Sequence, residues 1–131
     1  KVMWKLGKGG IIQMNENAEF LFQHYAHRNP SGEIMLFDNG SAARPVTRVL
    51  SFNIDEEALT ANTQVNFSLP SNYYSAIMGS ASLLPDNTIL AASSTNSAIL
   101  KTDLQGNVIW NLKLGGVVYR AEYINDPFIK N

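Results

Sequence analysis

The feature that most narrows what this chain can fold into is a strand motif that returns three times. Val2-Met3-Trp4-Lys5-Leu6, Val65-Asn66-Phe67-Ser68-Leu69 and Val108-Ile109-Trp110-Asn111-Leu112 share one pattern: valine, any residue, an aromatic, a polar residue, leucine. Their apolar positions fall at period two, the period of a strand with one face on a core and the other outward. A second correspondence runs alongside. Residues 23–36, with the turn Pro30-Ser31-Gly32, match residues 78–91, with the turn Pro85-Asp86-Asn87, at a constant offset of 55. The aromatic marks at 4, 67 and 110 lie 63 and 43 residues apart. Repeats of about 40 to 50 residues built from four short strands are the signature of propeller blades.

The rest of the chain agrees with an all-β fold. Short runs of strand-forming residues predict strands over 2–6, 20–27, 33–37, 47–54, 64–69, 76–84, 88–92, 98–102, 107–114 and 118–124. The turn sequences Pro30-Ser31-Gly32, Asp38-Asn39-Gly40, Pro85-Asp86-Asn87 and Gln105-Gly106-Asn107 separate them. No long segment keeps a 3.6-residue spacing, and the helix-like window at 55–59 is too short to matter. This organises the chain as the last strand of a preceding blade (1–6), two blades (7–69 and 70–112), and a closing strand with a tail (113–131). Propellers close with about 4 to 8 blades. The expectation is therefore a partial β-propeller, its remaining blades supplied by a longer chain or by other copies. Lys1 has no apolar signal region behind it, so the chain is expected to begin mid-protein or after processing.

Charge and missing residue types exclude several functions. Ten Lys and Arg against eleven Asp and Glu leave a net charge of −1, without the basic stripe of a nucleic-acid binder. No run approaches the roughly 18 to 20 apolar residues of a membrane span. Cysteine is absent, which removes disulfide and thiolate chemistry. His24 and His27 are three apart, so on a regular strand they point to opposite faces, and no metal site is expected from them. There is no phosphate-cradling Gly-rich loop followed by Lys and Ser or Thr, no dinucleotide fingerprint and no nucleophile elbow. No cofactor is called for. Glu56-Glu57 adjoins a polar turn and reads as solvated charge rather than an acid–base couple.

Across nearly its full length the chain resembles the C-terminal part of the arylsulfotransferase-type propellers. An ordered series carries the resemblance: Val2-Met3-Trp4-Lys5-Leu6-Gly7 before a Gly-rich turn, Phe22-Gln23-His24, Gly32, and Phe37-Asp38-Asn39-Gly40. It continues through Thr47-Arg48, Ile54-Asp55-Glu56-Glu57-Ala58-Leu59-Thr60-Ala61, Met78-Gly79-Ser80-Ala81 with Leu84-Pro85, and Tyr119-Arg120-Ala121. The resemblance implies transfer of a sulfuryl group from a phenolic sulfate ester to another phenol, through a sulfated histidine and without a nucleotide sulfate donor. It implies small-molecule aryl sulfate and phenol partners, and an extracellular or periplasmic location.

By the same resemblance His24 is the candidate nucleophile or sulfate binder and Arg48 the candidate anion clamp, because a guanidinium fork matches a tetrahedral oxyanion. Asn39 and Arg120 are candidate substrate-binding residues. The pattern also departs from the family: the repeat offset puts Gly79 where His24 stands, and Tyr25 follows His24 where many relatives have Asp. Read from the residues alone, Arg48 could equally bridge to an acid such as Asp38. Arg44 reads as a solvated loop charge, Asp38-Asn39-Gly40 as a turn, and Trp4 and Trp110 as core aromatics. The alternative function is a non-catalytic propeller module, binding or scaffolding, that recognises a glycan or a protein and is assembled from several chains.

Overall fold

The computed structural model describes residues 2–124, and within them every regular element is a strand apart from one 3₁₀ turn at Ser71–Tyr73. Strands β1 (Gln13–Met14), β2 (Gln23–Arg28), β3 (Ile34–Asp38), β4 (Arg48–Asp55) and β5 (Thr60–Ser68) form a first sheet in the order β1-β5-β4-β3-β2. Strands β6 (Ser80–Leu83), β7 (Ile89–Ser93), β8 (Ala98–Thr102) and β9 (Val108–Lys113) form a second in sequential order. Consecutive strands from β2 to β5 and from β6 to β9 pair antiparallel, while β1 adds parallel to the outer edge of β5. The fold is all-β, and two meanders of four strands are consistent with two blades.

Alternation of apolar side chains stacks these sheets in layers. From the first sheet Met35, Phe37, Val49, Val65 and Phe67 face one way, and they meet Ala81, Ile89, Ala91, Ala98 and Leu100 of the second. Burying each larger side chain here contributes roughly 1.5 to 3 kcal/mol. The opposite face of the first sheet, through Leu36, Leu50, Phe52 and Ala61, is covered by Ile12 and Ala18, with Trp4, Leu6 and Phe20 packed against them. Beyond the second sheet, Val118 and Ala121 cover Ala92. β6 packs against β2 and β3, so the first strands of the two meanders are neighbours.

Two expected strands are absent from the ladders. Residues 2–6 are irregular, although Trp4 and Leu6 do pack against the first sheet. Residues 118–124 are also irregular, held beside β6 by Gly79 N donating to Tyr119 O at 3.2 Å and Ala121 N to Ser80 Oγ at 3.0 Å. A strand is defined by a neighbour that takes up its backbone groups, and period-two patterning cannot supply one. The remainder of the expected tail, 125–131, lies outside the described residues. β1 was not foreseen, being two residues long. Trp110 departs from the core position expected of it: β9 pairs on one side only, with β8, and Trp110 is 47% exposed where Phe67 is 7%. Trp4, by contrast, lies partly buried in the core cluster.

Candidate functional site

His24 stands near the start of β2, at a break in the strand's regular pairing. Its partner across the ladder is Phe37, whereas that of His27 is Met35, so Tyr25 and Ala26 together oppose Leu36 alone. Tyr25 takes up the extra residue with φ +51°. Such a bulge reverses the facing of everything on one side of it. Phe37 and Met35 share a face, so His24 and His27 are placed on the same face, not on opposite ones as a regular strand would have them. Even so, no group of three or more metal-ligating side chains occurs among the described residues.

The His24 ring is held through one nitrogen. Its Nδ1 lies 2.7 Å from Asn39 Oδ1 and 3.1 Å from Phe22 O. Asn39 is fully buried just beyond β3, and its Nδ2 donates to Ser75 O at 2.7 Å and Met78 O at 2.8 Å. Both N–H groups of the amide are thus given to carbonyls of the segment leading into β6, and what Asn39 turns toward His24 is an acceptor rather than a free donor. His27 Nδ1 reaches only a neighbouring backbone oxygen, Tyr25 O at 3.0 Å.

Asp38, one residue earlier, organises the loops around this pair. Its Oδ1 accepts from the backbone N–H groups of Leu21 (2.9 Å) and Gly40 (3.0 Å) and from Arg44 Nη2 (2.8 Å). Its Oδ2 accepts from the same Arg44 nitrogen at 2.8 Å and from Arg48 Nε at 2.9 Å. Asp38-Asn39-Gly40 is therefore no tight hairpin turn: Asp38 and Asn39 are fully buried, and the connection to β4 runs on to Thr47. Gly40, at φ +76°, turns that loop back on itself, and a side chain there would overlap the carbonyls of Arg44 and Val46. This closure makes Arg44 a partner of Asp38 instead of a solvated charge. Nothing in the local pattern announces it; the available signal was two arginines shortly after a single acid.

Arg48 bridges Asp38, as its residue type allowed. Its Nη1 donates to Asn17 O at 2.6 Å and its Nη2 to Glu19 O, so the guanidinium also ties down the segment that covers the first sheet. Its side chain is 12% exposed. Behind it and Arg44 lies an open groove of about 800 Å³, bordered by the Gly7–Gly10 loop. Arg120 is separate from this cluster. Its side chain is half-exposed, its Nε lies 3.0 Å from Glu122 Oε1, and its guanidinium sits 5.7 Å from the centre of the Tyr25 ring. A second cavity, about 680 Å³, opens beside Tyr25 and is bordered by Pro30, Leu83, Pro85, Glu122 and Tyr123. The structure thus brings His24 and Asn39 into contact, sets Arg48 one residue away through Asp38, and puts Arg120 beside the residue that follows His24.

Gly79, the repeat counterpart of His24, has a structural reason to lack a side chain. Its φ is +94°, and a Cβ there would overlap the Phe37 ring and approach Ala92 O. Glu56 and Glu57 are exposed in the β4–β5 turn. Carboxyls with lowered pKa lie far along the chain from His24, in turns of the second sheet. Hydrogen bonds from Lys101 and then Thr88 hold Asp86 down at about 2, from an ordinary 3.8, and the Asn107 side chain lowers Asp103. Among the described residues no helix is long and apolar enough to cross a membrane. A family model described as arylsulfotransferase (ASST) matches residues 1–115. No curated protein matches the chain.

Proposed function

From the premise that this chain belongs to the arylsulfotransferase family, we propose that it supplies blades of a β-propeller that transfers a sulfuryl group from a phenolic sulfate ester to a phenol through His24. The observation that carries this reading is the anchoring of the His24 ring through Nδ1 to a buried side chain, with no hydrogen bond at Nε2 to any described residue. A nucleophile needs both a fixed ring and an open lone pair. In the reaction Nε2 attacks sulfur, the bond from sulfur to the aryl oxygen breaks, and the donor phenolate leaves with the electron pair. The acceptor's oxygen then attacks the same sulfur, the nitrogen–sulfur bond breaks and Nε2 recovers its lone pair. The acceptor's proton passes to the departed phenolate or to solvent.

The sulfuryl oxygens carry negative charge throughout, and fixed positive groups lower the barrier by meeting it. Arg48 contributes as a charge clamped beside the His24 loop, since most of its N–H groups are already given to Asp38, Asn17 and Glu19. Arg120, half-exposed beside Tyr25, is the guanidinium with room to turn toward a sulfate. The aryl partners, the remaining blades from a longer chain or from other copies, and an extracellular or periplasmic location belong to the same proposal. A sulfate-transfer assay on the assembled protein tests it. His24→Ala is expected to lower transfer on the order of 10³-fold or more. An unchanged rate overturns the role of His24, and a wild-type assembly that transfers no sulfate leaves the non-catalytic module that recognises a glycan or a protein.

A further inference from the structure

Resting on that role for His24, we infer that Asn39 is a positioning residue that holds the imidazole in its Nδ1–H tautomer, so that Nε2 presents the lone pair. The orientation of the Asn39 amide follows from its surroundings. Its two other neighbours, Ser75 O and Met78 O, can only accept, at 2.7 and 2.8 Å. A flipped amide would press its own oxygen against both carbonyls inside a fully buried pocket, at the cost of an unsatisfied group on every side. Nδ2 therefore faces the second sheet and Oδ1 faces His24. Oδ1 accepts only, and so does Phe22 O, the other neighbour of His24 Nδ1. A nitrogen between two acceptors has to carry the hydrogen. In the neutral ring that leaves Nε2 bare.

The same contact serves the covalent step. When Nε2 bonds to sulfur the ring keeps its Nδ1–H and becomes cationic, and Asn39 Oδ1 with Phe22 O are the dipoles that meet this charge. The second sheet supplies an internal comparison: at the repeat offset the pair His24 and Asn39 becomes Gly79 and Ser94, so imidazole and amide are lost together. Asn39 is also the link by which the segment before β6 sets the ring, since its amide spans from that segment to β2.

Two-bond proton–nitrogen NMR on the 131-residue chain, with the ring neutral and the signals assigned through His24→Gln, reads the tautomer directly. The expected wild-type spectrum has a protonated Nδ1 and a bare Nε2. Asn39→Ala is expected to release the ring toward the Nε2–H tautomer that free histidine favours. Asn39→Asp, whose carboxylic acid can keep an acceptor oxygen toward His24 while its O–H donates to Ser75 O or Met78 O, is expected to retain Nδ1–H. In single-turnover transfer Asn39→Ala is expected to be slowed at least about 10-fold. A wild-type ring protonated at Nε2 overturns the inference, as does a folded Asn39→Ala whose ring is unchanged. If the substitution prevents folding, the wild-type spectrum still decides. A ring with bare Nε2 in a protein that transfers no sulfate upholds the tautomer lock and overturns the function instead.

Discussion

The two sheets share one repeat, yet they spend it differently. The first is covered on both faces, by the second sheet and by the segment that holds Ile12, Ala18 and Phe20. Inside that double cover it buries a carboxylate with two arginines and aims a histidine with an amide. At the corresponding positions the second sheet has small groups: Gly79 for His24, Ser93 for Asp38 and Ser94 for Asn39. A charged tie there runs from Lys101 of β8 to Asp86 in an exposed turn, and all six residues of β9 are exposed. Polar groups held in a fixed geometry are found where neighbouring layers can exclude water and satisfy every donor. The difference shows why a repeat position predicts a residue's place along its strand but neither its burial nor what it does.

The sharpest way to break this comparison is to truncate the same repeat mark in each sheet. Phe67→Ala is expected to cost about 3 to 5 kcal/mol in denaturant unfolding, and Trp110→Ala less than about 1 kcal/mol. Equal losses would mean that β9 is covered in solution. Removing the buried charge comes next. Asp38→Ala strands two guanidinium groups against the fold and is expected to cost about 3 to 5 kcal/mol. The same unfolding measurement with Arg44→Met in addition should recover part of that loss if the penalty comes from unpaired charge.

A smaller effect is expected from Gly79→Ala. Left-handed strain of about 1 to 2 kcal/mol and overpacking of about 1 to 3 kcal/mol against Phe37 should appear together as a lowered Tm. A neutral result would mean that a side chain fits here and that the loss of histidine from this position has another origin. The smallest effect belongs to the exposed turns. Asp86 titrates at about 2 in the folded chain, below its ordinary 3.8, so it contributes stability above that value which is lost as pH falls through the folded pKa. Asp103 is shifted in the same direction. Asp86→Asn should flatten the acid limb of stability between about pH 4 and pH 2, as read by unfolding titrations. A limb of unchanged slope would assign acid sensitivity to other groups.

Much of the fold was legible because alternation at period two survives in β5 and β8, and because Pro30-Ser31-Gly32 and Pro85-Asp86-Asn87 do connect adjacent strands. The exposure of Trp110 was not, since its motif is that of Phe67 and only the neighbouring layer differs. Nor was the facing of His27, because the bulge at Tyr25 leaves no mark in composition and changes parity by one residue. At the candidate site, His24 was named through the family resemblance, and Asp38 was named as a possible partner of Arg48, which it is. Asn39 was named as a candidate substrate-binding residue in a turn, and its contact with His24 was not foreseen. Its meaning depends on Ser75 and Met78, brought in from 36 and 39 residues away, a closure that no local pattern encodes.

The account turns on His24 as the atom-level acceptor of the sulfuryl group. Rapid mixing of the assembled protein with an aryl sulfate and no acceptor, quenched at alkaline pH and followed by peptide mass mapping, measures this directly. The account predicts one added sulfuryl group on the peptide that contains His24, removed when a phenol is added and absent in His24→Ala. A sulfuryl group carried on another residue, or sustained turnover with His24 never modified, would contradict it.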